Sequence, residues 1–374
     1  MKQIQYSFDD VLLLPKFTNF LPSEVDTQMQ LTSHITLKLP FLSAAMDTVT
    51  EANMAISIAE LGGIGVLHKN MSIKEQCIQL RRVKIHKISN CASRIATIDS
   101  NRSLHVLAAI GVEMDDFNRA KQLIISGVSA LVIDTSHAHS QNVYNIIKRI
   151  KTYCPVVEII VGNIVTKDAA RDLLELGVDA LKVGIGPGSI CTTRVVAGVG
   201  MPQISAIMQV ASVCQKKHIG VIADGGIKCS GDIAKAIGAG ANCVMLGSLI
   251  AGSDESPGGV FEVDGKKYKK YRGMGSIEAM NAGSVNRYFQ INKTANLVPQ
   301  GVVSNVPYKG KLKTIINQLH GGLISSMGYT GNKTITSMRE NSEFSLITQS
   351  AFKEGHVHSV SSFNETQNYT RVLK

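Results

Sequence analysis

Tryptophan is absent from the chain, and only 5% of its 374 residues are aromatic, so any core must be aliphatic. No apolar run reaches the ~20 residues that a membrane-spanning helix requires. The opening MKQIQYSFDD turns acidic where a secretory signal would turn apolar. These absences point to a soluble, cytoplasmic protein with no membrane partner. Seven cysteines are scattered with neither CxxC pairs nor even spacing, which argues against a disulfide framework or a zinc site. Cys214 and Cys243 lie in apolar segments and read as core. The formal net charge is +10, yet Lys and Arg are spread along the chain. The densest cluster, KKYKKYRG at 266–273, reads as a solvated hairpin. Direct nucleic-acid binding is the less favoured reading of that cluster, and an anionic small-molecule substrate would suit the charge equally well.

What is present is a repeating pattern. Eight apolar, β-branched runs recur: FLSAAM, GIGVLH, VLAAIGV, ALVIDTS, VEIIVGN, ALKVGIG, GVIADGG and CVMLGS. Helical stretches such as TEANMAISIAELG and TKDAARDLLELG lie between them, and several end in Gly, the usual helix stop. Continuous apolar strands alternating with helices imply a parallel sheet covered on both faces. Eight such units at this length predict a single α/β catalytic domain over 1–374, a (β/α)8 TIM barrel. An open doubly wound sheet is the weaker alternative, because no GxGxxG follows the first strand. Residues 85–104 form a short linker between the second and third strands. After the eighth strand, residues 251–311 form an excursion with a hairpin at Asp264-Gly265 and a mobile active-site flap. A closing helix, KLKTIINQLHGGL, follows.

Catalytic groups in such barrels gather at the carboxyl ends of the strands. Those ends carry Met46-Asp47, His68 and Asn70, Asp134 with His137, Asn163, Asp224-Gly225-Gly226 and Gly247-Ser248. Glycine lets backbone N–H groups approach an anion, so Gly226, Gly247 and Ser248 suit a phosphate. Asp224 could accept two hydrogen bonds from a ribose diol. The segment KVGIGPGSICTTR places Cys191 among three glycines. A thiolate on a flexible loop beside a phosphate cradle is a nucleophile candidate. Ser189 could contact phosphate and Thr193 the reacting base. Carbonyls of Gly186, Gly188 and Cys191 could converge on a monovalent cation.

These segments, with SFDDVLLLP, FLSAAMDTVTE, GGIGVLHKNMSI, LVIDTSHAHS, GNIVT, MPQ, MLGS, YRGMGS, NRYFQ and MGYTG, make the chain resemble IMP dehydrogenase over nearly its whole length. The resemblance implies NAD-dependent oxidation of IMP to XMP, for guanine nucleotide biosynthesis. Cys191 would add to C2 of the purine, and the flap would assist hydrolysis of the resulting thioimidate. Arg287 and Tyr288 match the pair that activates water, with Thr193 as companion. Met46, Ser189, Asp224, Gly225, Gly226, Gly247, Ser248, Tyr271, Gly273, Met274, Gly275 and Gln300 match the IMP side. Asp134, His137, Asn163 and Gly184 match the NAD side. The resemblance also implies K+, held by Gly186, Gly188 and Cys191 together with Glu354, Gly355 and His356 from a neighbouring subunit of a homotetramer.

The chain departs from the family pattern in several places. The linker at 85–104 stands where most members carry two regulatory CBS modules. Gln300 replaces the Glu usual in bacterial members. Ile324 and Ser326 are atypical, and the tail reads KEGHVHSV. GMP reductase, which shares the cysteine loop, is the nearest alternative function. A silent nucleotide- or nucleic-acid-binding barrel is the more distant one. The segment GMG at 273–275, the Arg287-Tyr288 pair and the long flap favour the dehydrogenase.

Overall fold

A computed structural model describes residues 4–89, 92–288, 297–360 and 368–369. Residues 90–91 of the expected linker and 289–296 of the expected flap lie outside the described residues.

All eight apolar runs are strands, and they close into a barrel. They are β1 (Phe41–Ser43), β2 (Ile64–Leu67), β3 (Val106–Ile110), β4 (Ala130–Asp134), β5 (Ile159–Ile164), β6 (Ala180–Val183), β7 (Gly220–Asp224) and β8 (Cys243–Leu246). Every neighbouring pair is parallel, and β8 returns to β1. β3 and β4 are buried at every residue, as strands covered on both faces must be. All but the fifth strand end earlier than their apolar runs, because the last residues of those runs turn over the barrel mouth.

Each strand is followed by a helix: α1 (Ala52–Glu60), α2 (Ile73–Lys84), α3 (Met114–Ile125), α4 (Gln141–Tyr153), α5 (Lys167–Glu175), α6 (Gln203–Cys214), α7 (Ser230–Gly238) and α8 (Leu312–Tyr329). α4 shows why. Val143, Ile146, Ile147 and Ile150 recur at helical spacing and are its buried face. Gly127 and Gly177 end α3 and α5 with φ of 86° and 73°, a conformation costly for any side chain. α8 runs beyond the expected segment and packs on α7. Cys214 and Cys243 are buried core residues, and burial raises both thiols. No helix among the described residues is long and apolar enough to cross a membrane.

Two features close the ends of the barrel. At the floor, a hairpin pairs Met29–Gln30 with Thr36–Leu37. The Leu31 carbonyl there lies so close to Gly220 that a Cβ would meet it at 2.1 Å. At the mouth, β9 (Val260–Val263), β10 (Lys266–Arg272) and β11 (Val303–Pro307) form an antiparallel sheet. Asp264 and Gly265 make its first turn with φ of 50° and 72°, as the hairpin reading requires. The KKYKKYRG segment is not simply a solvated hairpin, however. Lys269 is 2% exposed, and its ammonium donates to the carbonyls of Ser253 (2.9 Å) and Ser256 (2.6 Å). Tyr271 is 5% exposed. The third strand, β11, pairs along one edge of β10.

His105 marks the amino end of β3, where its Nδ1 sits 2.9 Å from the Ser129 hydroxyl. Burial pushes its pKa down from 6.5 to about 4, aided by Lys84. The folded chain therefore resists a proton that the unfolded chain accepts. This stability is whole above pH 6.5 and drains as pH falls toward 4, a loss of about 3 kcal/mol. Urea titrations at stepped pH should show that slope, and His105→Gln should flatten it; an unchanged slope would contradict the assignment.

Candidate active site

A cavity of about 370 Å³ opens at the carboxyl ends of the barrel strands. Glycine geometry builds its walls. Gly184, after β6, has φ 147°, and a Cβ there would strike the Asp224 carbonyl at 2.2 Å. The chain can therefore turn out of β6 beside β7 only at a glycine. The cysteine loop that follows is strapped down by β-type bonds. The Thr192 amide donates to the Gln300 carbonyl and the Val302 amide to the Ile190 carbonyl, each at 3.0 Å. Cys191 faces Gly301 across this bridge. Its Sγ lies 3.2 Å from Thr193 Oγ1, and its amide donates to the Gly188 carbonyl at 3.0 Å.

Asp224, at the end of β7, is held by two donors on Oδ2: Lys182 Nζ at 2.6 Å and Asn163 Nδ2 at 3.0 Å. Its other oxygen has no protein partner among the described residues and stands at the cavity wall. Gly225 and Gly226 continue with φ of 92° and 82°. Across the mouth, a Cβ on Gly247 would lie 2.8 Å from the Tyr271 hydroxyl. That hydroxyl also points at Met46 Sδ, 3.8 Å away. Burial pushes the Tyr271 phenol up to about 12, against the bonding influence of Ser189 and of the Ser248 backbone. It is thus a neutral hydrogen-bond donor beside Ser189, Gly247 and Ser248, the set read from sequence as an anion cradle.

Arg287 reaches into the same cavity. Its guanidinium pairs with Asp134, and its carbonyl accepts from the Ser136 amide (3.1 Å) and hydroxyl (2.8 Å). Its Nε is buried without a hydrogen-bond partner among the described residues, a donor left for a ligand or water. Tyr288 follows. Burial raises its phenol, against the nearby Arg287, so it too keeps its proton. A Cβ on Gly275 would lie 2.7 Å from the Tyr288 ring, so that glycine lets the ring sit there.

The cavity brings together Met46, Asp134, Asn163, Gly184, Gly186, Gly188, Ser189, Cys191, Thr193, Asp224, Gly225, Gly226, Gly247, Ser248, Tyr271, Gly273, Met274, Arg287, Tyr288 and Gln300. Gly275 stands directly behind this wall. His137 is exposed and outside the lining; its ring faces that of His139 at 6.3 Å. Glu354, Gly355 and His356 end a helix over Gln349–Glu354 and touch no part of the cavity. The carbonyls of Gly186 and Cys191 take no hydrogen bond among the described residues, so they suit a cation bound by carbonyl oxygens. No cluster of three or more His, Cys, Asp or Glu able to hold a metal occurs among the described residues.

Three features of the site escaped the sequence. Ser7, Phe8 and Asp9 form part of the cavity wall, brought there because Val11–Leu13 pairs with Phe344–Leu346. Gln203 donates to the carbonyls of Val183 (2.9 Å) and Asp224 (3.1 Å), and its own oxygen has no partner among the described residues. Lys182 is 1% exposed in the barrel interior. Its ammonium bonds Asp224, Asp134 (3.0 Å) and Asn163. Its signal was a charge inside an otherwise apolar strand.

A family model described as "IMP dehydrogenase / GMP reductase domain" matches residues 5–358. The chain is 48% identical over 390 residues to the inosine-5'-monophosphate dehydrogenase of Borreliella burgdorferi, with 95% of this chain and 96% of the relative covered. It is 44% identical over 394 residues to that of Cryptosporidium parvum, with 98% of each covered. To that of Helicobacter pylori it is 40% identical, with 97% and 98% covered. The last alignment runs over 474 positions against 374 residues here, so that relative carries an insertion that this chain lacks.

Removing the Lys182 charge would leave Asp224 with no cationic partner among the described residues and Asp134 with Arg287 alone. Lys182→Met should cost about 3–5 kcal/mol in urea unfolding. A companion Asp224→Asn substitution should recover part of that loss. A loss below about 1 kcal/mol would mean that the carboxylates find other partners.

Proposed function

The chain belongs to the IMP dehydrogenase / GMP reductase family, and on that premise we propose that it oxidises IMP to XMP with NAD+. The observation that carries this reading is one cavity holding a loop thiol against Thr193, an anion cradle, and the Arg287–Tyr288 pair. The curated relatives are named for the dehydrogenase reaction. In this reading the IMP phosphate sits among Ser189, Gly226, Gly247, Ser248 and Tyr271. The free oxygen of Asp224 receives the ribose hydroxyls. Met46, Gly273, Met274, Gly275 and Gln300 frame the purine over the cysteine loop.

The Cys191 thiolate forms a bond to C2 of the purine, and the C2–H bond then breaks with its electron pair. Asp134, Asn163 and Gly184, with His137 at the outer edge, would hold NAD+, which would supply the acceptor for that hydride. The thioimidate left on Cys191 is hydrolysed. Arg287 and Tyr288, held against Asp134, orient a water toward C2, the C–S bond breaks, and the sulfur recovers its proton. Arginine keeps its proton at any ordinary pH. Its part here is therefore to aim and polarise water through the unpaired Nε donor, with Thr193 beside the sulfur. Because Arg287 occupies the side of the cavity where nicotinamide must sit, the two halves of the reaction use that space in turn. The carbonyls of Gly186, Gly188 and Cys191 would hold K+, completed by Glu354, Gly355 and His356 of a neighbouring copy in a homotetramer. Residues 85–104 take the place of the CBS modules, so adenine or guanine nucleotides should not regulate the enzyme through them. The enzyme acts in the cytoplasm.

Two substitutions test the division of labour by stopped-flow absorbance of NADH. Cys191→Ala should bind IMP with near-normal affinity and make no NADH. Arg287→Ala should give a burst of about one NADH per site and then turn over at least 100-fold more slowly. NADPH consumption with GMP in place of NADH formation from IMP would overturn the assignment.

A further inference from the structure

The cysteine and the Arg287–Tyr288 pair arrive in the cavity from different parts of the chain, and something must fix where the second part stands. Arg272, the last residue of β10, aims its guanidinium at Asp47 on the loop after β1. Nε lies 3.1 and 3.2 Å from the two carboxylate oxygens, and the second nitrogen contact is 2.6 Å. The Arg272 amide also donates to the Thr48 hydroxyl at 3.3 Å. Asn70, after β2, donates to the same Asp47 carboxylate at 2.5 Å. The Asp47 side chain is 7% exposed, so this forked pair is largely shielded from water. The bond to Asp47 raises the Arg272 pKa. On the far side, the backbone passes Asn70 at Gly283, φ 129°, where a Cβ would lie 2.9 Å from the Asn70 oxygen. That oxygen is buried and has no hydrogen-bond partner among the described residues. The segment from Arg272 to Tyr288 is therefore gripped at its base by Asp47, passes close to Asn70, and is tied at its tip through Ser136 and Asp134.

Neither Asp47 nor Arg272 lines the cavity, so the chemistry does not need them directly. We propose that Asp47 is a positioning residue: by clamping Arg272 and Asn70 it sets the fraction of enzyme in which Arg287 and Tyr288 stand against Cys191. Glu278 and Lys270 lie at the outer edge of the same junction. Lys270 neutralises Glu278 at 2.5 Å, and Glu278 only brushes Arg272 at 3.5 Å. The grip is therefore Asp47's. The inference rests on the proposed dehydrogenase reaction and assigns a residue to its second half. Weakening the clamp should lower hydrolysis, which needs the pair in place, and spare hydride transfer, which needs the space vacated.

The test compares burst and steady-state NADH production by the full-length chain. Asp47→Ala should keep the burst rate and amplitude within twofold of the parent. Its kcat should fall about tenfold, the weight of one charge-assisted hydrogen bond. KM for NAD+ should fall with it, because the vacated site is contested less often. Arg272→Ala should match it, and the double variant should be no slower than either single one. Should Asp47→Ala fail to fold, Asp47→Asn should give a smaller kcat loss with the same intact burst. Burst and kcat falling together, or a kcat unchanged in both variants, would overturn the proposal. Absence of any burst in the unsubstituted protein would instead overturn the reaction on which it rests.

Discussion

The buried ammonium of Lys182 is the interaction on which the rest of the site depends. It lies inside the barrel between Asp134 and Asp224, the last residues of β4 and β7, and also bonds Asn163 of β5. Two carboxylates that close together in a water-poor interior would repel each other. The lysine between them, within 3.0 Å of one and 2.6 Å of the other, offsets that repulsion. Asp224 then keeps one oxygen for a ligand, and Asp134 keeps the other for Arg287. One positive charge thus connects the wall assigned to the ribose with the segment assigned to water activation. The pair costs desolvation, and its gain is fixed geometry rather than stability.

The second constraint is the cysteine loop. A thiol proposed to bond to a substrate and then release it cannot sit inside a rigid strand. It also cannot be left loose. The loop meets both needs: glycines at 184 and 186 adopt positive φ, and the ridge of residues 190–192 is pinned by two backbone bonds to residues 300–302. Those residues flank the chain that carries Arg287 and Tyr288, so the proposed nucleophile and the pair proposed to orient water share one mechanical frame.

Much of this was legible in the sequence because burial writes a simple code. The eight strands announced themselves as apolar runs such as ALVID and IIVGNI, whose every residue is buried. Gly127 and Gly177 marked helix ends through the conformation they alone accept cheaply. The positions of Cys191, Asp224, Gly226 and Gly247 at strand ends placed them around one mouth once the barrel was inferred. What escaped depends on contacts between distant parts of the chain. Lys182 looked like an interruption of a strand, since its partners lie 48 and 42 residues away in sequence. Ser7 to Asp9 joined the wall only through pairing of Val11–Leu13 with Phe344–Leu346. Lys269 read as solvated because nothing local announces the carbonyls of Ser253 and Ser256 or the covering strand Val303–Pro307.

The account's central claim is that the Cys191 sulfur becomes bonded to the nucleotide during turnover. Mass spectrometry of enzyme quenched with acid while consuming IMP and NAD+ tests it directly. The account predicts that the peptide containing Cys191 carries the mass of the attached nucleotide. An unmodified Cys191 peptide from enzyme that is turning over would contradict it.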